Sequence, residues 1–395
     1  MSSLRAVIRV CNALLLLANG SALAEEMFTR HSGNEFQLSL APEIGTLDNF
    51  FYQANNKQST NYLALKTEVE LQFQAEQQLL ALDSKFHHLK YQQFSQDNHT
   101  DYSLAPSYQY KFAVNKAFFI ESELNVNYEA RGTGLSLGKA SSLTVGDSKE
   151  QRQITAGLLY GQKDSIAKLI LALGLNDSRY QTRRATTQVL DYQTQFVRSS
   201  FDYLLSDYSY LATELAYQDL TFDHNPLQDK DKLTALVGIK WQTTAATRLA
   251  ALIGYQQVKF AQSNFKDDSA LKWQLDWQWH PVEQIKFLLQ SKRDFQEANR
   301  LTDSYRLIDA HRIDVQYRFN RSLAGSIALA LNQEEIVYQT SATEEEYFKA
   351  EAQLDYQRLD WLAFYLRYVV SNLDAQQSTL DYQRSSVSIG FSVTI

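Results

Sequence analysis

A strict alternation of apolar and polar side chains is the feature that most constrains this chain. In residues 312–319 one face carries Ile, Val, Tyr and Phe, and the other carries Arg, Asp, Gln and Arg. The same period of two recurs at 63–73, 271–279 and 348–357, and it indicates β-strands with two different faces. Strands of soluble sandwiches typically have only about 5 or 6 residues. The longer windows therefore predict a barrel with lipid outside and water inside.

The spacing of the turns predicts the number of strands. Eight short polar turns recur roughly every 40 residues and alternate with nine longer loops, among them 132–149 and 341–346. Single-chain outer-membrane barrels have an even number of strands, with short periplasmic turns and longer extracellular loops. We therefore predict an all-β, antiparallel up-and-down transmembrane barrel of about 18 strands (16–18).

The first 24 residues predict export. Arg5 and Arg9 precede an apolar run, and Ala22-Leu23-Ala24 has the small-x-small pattern of a cleavage site. We expect 1–24 to be a cleaved signal peptide and 25–395 to form a single barrel domain in the bacterial outer membrane. Cleavage removes Cys11, and the loss of two arginines changes the net charge from −7 to −9.

The composition of the 395 residues excludes several other classes of protein. A mean hydropathy of −0.37 is too low for several helical membrane spans. The 23 Tyr, 21 Phe and 5 Trp are too many for a disordered chain. The negative net charge is unfavourable for binding nucleic acid, so we expect no nucleic-acid partner.

Aromatic side chains near the short turns predict a girdle at a membrane interface, where amphipathic rings are favoured. Its predicted members are Phe73, Tyr110, Phe112, Tyr160, Tyr203, Trp241, Trp277, Trp279, Tyr317, Phe319 and Tyr356. Pro42 and Pro106 fall inside predicted strands. Because proline lacks the N–H that a ladder needs, we expect each at a bulge or near a strand end.

No group of residues predicts catalysis or a bound cofactor. His87 and His88 are neighbours on a strand, so they point to opposite faces and are poorly placed to share a metal. Asp309 and His311 could belong to a hydrolase on the outer wall, but no nucleophile motif accompanies them. We predict no enzyme activity, no metal site and no cofactor.

The polar faces of the clearest strands are predicted to line a lumen that is wide enough for water. Positive and negative charges nearly balance on them, which suits either ion pairs within the wall or a path for a hydrated solute. The predicted lumen-facing residues are Lys66, Glu68, Glu70, Glu121, Glu123, Lys240, Lys272, Asp276, Arg312, Asp314, Arg318, Lys349, Glu351, Asp355 and Arg367.

Residues 40–51, which end in Asp48-Asn49-Phe50-Phe51 and precede long Tyr-rich strands, resemble the putative β-barrel porin 2 family. That group includes outer-membrane barrels of exopolysaccharide biosynthesis operons. The resemblance implies a channel in outer-membrane lipid that exports an extracellular or capsular polysaccharide beside a periplasmic polysaccharide-export protein. Two alternatives stay open: a general or solute-specific diffusion porin for small polar solutes, and a structural barrel that holds a periplasmic partner.

Overall fold

A computed structural model describes residues 34–161, 165–244, 246–262, 265, 267–338 and 341–395. Within these residues, eighteen strands of 13–18 residues form one antiparallel sheet. The strands are β1 (Glu35–Leu47), β2 (Thr60–Ala75), β3 (Gln78–Tyr91), β4 (His99–Ala113), β5 (Lys116–Glu129), β6 (Asp147–Tyr160), β7 (Ala167–Tyr180), β8 (Tyr192–Ser206), β9 (Ser209–Phe222), β10 (Lys230–Thr244), β11 (Thr247–Phe260), β12 (Asp268–Val282), β13 (Ile285–Glu297), β14 (Tyr305–Arg318), β15 (Leu323–Val337), β16 (Ala342–Leu359), β17 (Leu362–Ala375) and β18 (Tyr382–Thr394).

The sheet closes on itself. Each strand pairs with the next along the chain, and β1 pairs with both β2 and β18. At this seam Leu38 and Ile395 exchange backbone hydrogen bonds of 3.0 and 2.9 Å. The predicted antiparallel barrel and its 18 strands are thus confirmed, whereas the predicted signal peptide lies outside the described residues.

Helical structure in the described residues is confined to the loops. It comprises the single turn α1 (Arg184–Thr187) and the 3-10 turns Ser95–Asp97, Gly134–Ser136, Ala140–Ser142, Gln188–Leu190, Pro226–Gln228 and Ser378–Leu380. None of these helices has the length and apolar character needed to cross a bilayer.

The two faces of the sheet differ in chemistry as the alternation predicts. Large apolar side chains such as Ile44, Leu173 and Ile253 are more than half exposed on one face. The other face is concave, because polar groups on it meet across intervening strands: Lys232 of β10 binds Glu297 at the end of β13. Apolar side chains therefore cover the convex face, and most of the charged side chains of the strands lie on the concave face.

Aromatic rings cluster on the convex face at the end with the short turns. Phe73, Tyr160 and Phe319 are 54%, 45% and 55% exposed, and the other predicted girdle residues are also exposed except Trp277, which stacks on Trp279 at 5.7 Å. On the concave face at the same end of the barrel, buried Phe119 packs with Leu159 and Ala172.

Two details of the sequence prediction are wrong. Pro42 and Pro106 lie in the middle of β1 and β4, and the ladders to β18 and β5 skip them without any change of register. Each missing N–H is thus tolerated by a local gap in one ladder instead of a bulge. The loop expected at 341–346 is mostly strand, because β16 begins at Ala342.

Candidate functional site

The barrel mouth at the end with the long loops is crossed by inward-folded segments. The first is residues 130–146 between β5 and β6, here called the mouth loop. Arg131 at its start is buried, donates from Nε to Asp97 Oδ1 at 3.0 Å, and lies 4.5 Å above the Phe51 ring. Gly132 has a φ of +91° and lies so close to the Phe51 carbonyl that a Cβ would come within 2.0 Å of its oxygen. Only glycine fits this position.

The run Asp48-Asn49-Phe50-Phe51 anchors the mouth loop to the barrel. Asp48 accepts hydrogen bonds from the backbone and the hydroxyl of Ser385 in β18. Asn49, at a φ of 43°, donates to the carbonyl of Gln383 at 2.8 Å. Both phenylalanines are buried, and Phe50 stacks on Phe94 at 4.4 Å. This run therefore builds the support on which the mouth loop rests.

A second segment enters the mouth from the other side. It comprises residues 294–306 at the ends of β13 and β14 with the loop between them, here called the hairpin tip. The ladder between β12 and β13 stops at the pair Trp273 and Arg293. Beyond it, Phe295 takes its hydrogen bonds from the concave face: its N–H donates to Gln256 Oε1 at 3.1 Å, and its carbonyl accepts from Lys232 Nζ at 3.1 Å. Side chains of β10 and β11 thus replace the missing ladder.

Buried charges hold the hairpin tip in place. Lys230 Nζ lies 2.8 Å from Glu297 Oε2 and donates to the Ser304 carbonyl at 3.1 Å, while Lys232 pairs with Glu297 Oε1. Gln228 Nε2 donates to the Asp303 carbonyl at 2.8 Å. Because the lysine side chains are 0% and 5% exposed, this is a desolvated charge cluster that needs all its partners.

The tip also reaches loops across the mouth. Ala298 packs with Tyr180 and Leu190, and Leu135 of the mouth loop joins them. Arg300 donates two hydrogen bonds to the carboxylate of Glu345 in β16, at 2.7 and 2.6 Å. Since β5 and β14 are nine strands apart in an 18-strand barrel, these contacts span the opening.

One group in the tip titrates near neutral pH. Burial raises the pKa of Asp303 to about 6, although the positive charges of Arg300 and Arg306 oppose the shift. The neighbouring Glu345 carboxylate adds to it. Asp303 therefore holds a proton at acidic pH and loses it as the pH rises through about 6.

The concave face contains all fifteen residues that the sequence predicts to face a lumen, according to the strand register. Lys66 and Arg367 converge on buried Glu43 at 3.1 and 2.6 Å. Lys240 pairs with Asp202 at 3.0 Å, Lys272 with Asp294 at 2.6 Å, and Arg312 with Asp314 at 2.6 Å. Whether these groups meet a moving solute stays a prediction.

The register also shows that opposite charges are separated around the described part of the barrel. The concave face of β10–β14, here called the basic wall, has ten cations against five carboxylates: Lys230, Lys232, Lys240, Arg248, Lys272, Lys286, Lys292, Arg306, Arg312 and Arg318 against Asp268, Asp276, Asp294, Glu297 and Asp314. The concave face of β1–β5, here called the acidic wall, has nine carboxylates against three lysines: Glu35, Glu43, Glu68, Glu70, Asp83, Asp101, Glu121, Glu123 and Glu129 against Lys66, Lys85 and Lys111. The sequence predicts a balanced lumen but not this separation.

On the convex face, the predicted outer-wall histidine has a local partner. His311 Nδ1 lies 2.9 Å from Ser291 Oγ, and Trp273 Nε1 donates to the same oxygen at 2.9 Å. Asp309 binds Arg293 instead of the histidine. In the described part of the chain, His311 therefore has no orienting acid of the kind that a Ser-His-Asp triad uses.

Comparison with known proteins identifies the family. The family model described as "Putative beta-barrel porin 2" matches residues 38–395. The chain belongs to this family. Its members are outer-membrane β-barrel porins, which places this barrel in the bacterial outer membrane. No curated protein matches the chain.

Solved structures share the barrel architecture with this porin-family chain. Pseudomonas aeruginosa OccK1 (OpdK) is 10% identical, with 91% of this chain and 99% of that chain covered and a TM-score of 0.49. Acinetobacter baumannii OccAB4 is 10% identical over 91% and 98% of the two chains, with a TM-score of 0.48. A point mutant of the P. aeruginosa ferric enterobactin receptor PfeA is 6% identical over 93% and 81%, with a TM-score of 0.46. The likeness concerns the fold alone.

Proposed function

We propose that this barrel is an outer-membrane channel for small polar solutes and that the mouth loop and the hairpin tip gate it. The observation that carries the proposal is the hairpin tip, in which β13 leaves the ladder with β12 and is held inside by Lys230, Lys232 and Gln256. Side-chain contacts of this kind can be released without unfolding the barrel. A charged concave face and an apolar convex face supply the water path and the lipid contact that such a channel needs.

Several expectations from the sequence remain proposals. Cleavage after Ala24 would deliver the chain to the outer membrane with the long loops outside. The family resemblance implies polysaccharide export and a periplasmic export protein. No contact or pocket in the described residues supports either of them. A scaffold role would require a partner inside the barrel, whereas the mouth of this barrel is crossed by its own loops. We therefore prefer the diffusion channel to both, and we expect no catalysis.

Swelling of proteoliposomes tests this function. The wild-type barrel is compared with a variant in which residues 295–305 are replaced by a short Gly-Asn turn. We expect slow swelling of the wild type in arabinose and fast swelling of the variant, with a cut-off at the size of a small oligosaccharide. A heat-dependent gel shift verifies that both barrels are folded. A folded variant that passes no sugar contradicts the proposal, and one that passes long dextrans favours the polysaccharide exporter instead.

A further inference from the structure

We infer that the basic wall binds small organic anions during passage and that Lys292 is a residue that contacts them. This inference rests on the proposed function and adds the chemical class of the solute. It starts from the separated charges of the two walls and from the position of Lys292 in the middle of β13.

The two walls face each other across the barrel and act independently. β10 and β1 are nine strands apart, and so are β14 and β5, which is half of the 18-strand circuit. Strands about 4.8 Å apart and tilted by about 40° give a barrel diameter of roughly 35 Å. The Debye length at physiological ionic strength is only about 8 Å. A solute near the basic wall therefore experiences little of the acidic wall, even though the charges of the whole lumen nearly cancel.

Most cations of the basic wall already bind a carboxylate. Lys230 and Lys232 share Glu297, while Lys272 and Arg306 bind Asp294 and Glu334 at 2.6 and 2.8 Å. These pairs stabilise the wall and leave little charge for a solute. A cation of this wall that has no such pair keeps its charge available for a solute.

Lys292 is such a cation. The register places it on the concave face between Gln274 of β12 and Ala310 of β14, neither of which carries a charge. Lys272 and Asp294 lie nearby and are bound to each other. The Asp294 and Asp276 carboxylates also attract the Lys292 ammonium group, but among the described residues Lys292 forms neither a direct ion pair nor a side-chain hydrogen bond. A partly buried ammonium group without a partner gains most from a charged acceptor, so a carboxylate of a passing solute is a suitable ligand.

The acidic wall offers a matched control. Lys85 of β3 also lies on the concave face, between Glu68 of β2 and Ser103 of β4. A change from lysine to glutamine removes the same charge at either position. Only the change at Lys292 alters the basic wall.

Competing fluxes of gluconate and glucose test the inference, because the two solutes differ in charge but little in size. In proteoliposomes that contain the wild-type barrel, in which Glu297 still pairs with Lys230 and Lys232, we expect gluconate to pass faster than glucose and its flux to saturate. Lys292→Gln should reduce the gluconate flux roughly tenfold through the loss of one charge-assisted hydrogen bond, with the glucose flux unchanged. Lys85→Gln should leave both fluxes unchanged.

Each outcome has a separate meaning. If glucose passes and Lys292→Gln leaves the ratio of gluconate to glucose flux unchanged, the anion site is refuted while the channel stands. An equal loss of gluconate flux in Lys292→Gln and Lys85→Gln also refutes it, because the effect would then come from overall charge. If a folded barrel passes neither solute, the proposed function itself fails.

Discussion

Glu297→Gln is expected to open the channel by releasing the hairpin tip. The substitution keeps the shape of the side chain but removes the negative charge between Lys230 and Lys232, which are 0% and 5% exposed. Both ammonium groups then remain buried without a carboxylate. They can be rehydrated only if the tip moves away from β10.

The size of the effect follows from the burial of the cluster. Removal of one partner from a buried ion pair typically costs about 3–5 kcal/mol. Because the Glu297 side chain is 12% exposed, we take the lower end, about 3 kcal/mol. With a factor of ten for every 1.4 kcal/mol, the ratio of open to closed barrels should rise by roughly 100-fold.

Single-channel recording in planar bilayers measures this ratio directly. We expect rare, brief openings of the wild type and long openings of Glu297→Gln at the same unit conductance. Asp314→Asn is the control, because it removes a carboxylate of the same wall that is bound to Arg312 rather than to the tip. An open probability that stays within twofold of the wild type, in a folded Glu297→Gln barrel, would refute the latch. Equal opening in Asp314→Asn would assign the effect to wall charge instead.

Three further outcomes follow from the same structure. Gly132→Ala should displace the mouth loop and expose residues 130–146 to protease, because a Cβ meets the Phe51 carbonyl at 2.0 Å; Gly325→Ala, whose nearest contact is 3.2 Å, should not. The pKa of Asp303 is about 6 in the closed tip, above its ordinary 3.8, so the closed state binds the extra proton. Closure is fully favoured below about pH 4 and weakens as the pH rises through 6; the open probability should therefore rise from pH 5 to pH 7, and Asp303→Asn should abolish this rise. Leu173→Arg, on the 63% exposed convex side of β7, should cost about 2–4 kcal/mol of stability against urea in lipid vesicles. Asn176→Arg on the concave side should cost much less, and equal costs would contradict the lipid-facing assignment.

The barrel could be predicted from the sequence because alternation and turn spacing are local features of the chain. Alternation at residues 312–319 fixes the face of every side chain in that part of β14, and the observed register agrees with it. The lengths of turns and loops then give the strand number. Pro42 shows the limit of this reasoning, since a gap in one ladder depends on the neighbour β18, which is almost 350 residues away in the chain.

The mouth could not be derived in this way, because its contacts are not periodic. Lys230 and Lys232 look like ordinary polar positions of an alternating strand, and nothing near them in sequence indicates Glu297. Asp48 to Phe51 were recognised as a family signature, but their role as the support of the mouth loop depends on Ser385, Phe94 and Gly132. The separation of charges between the two walls likewise depends on which strands lie opposite each other.

A reversible cross-link across the mouth tests the central claim most directly. Cys11 is the only cysteine of the sequence and lies in the predicted signal peptide, so with Cys11→Ser the changes Ala298→Cys and Leu190→Cys can be introduced in an otherwise cysteine-free barrel that also carries Glu297→Gln. A short reducible bis-thiol reagent joins the tip to the facing loop, and the gel mobility measures the cross-linked fraction. We predict that conductance disappears in proportion to this fraction and returns after reduction. Full conductance through a completely cross-linked barrel would contradict the claim that these segments gate the channel.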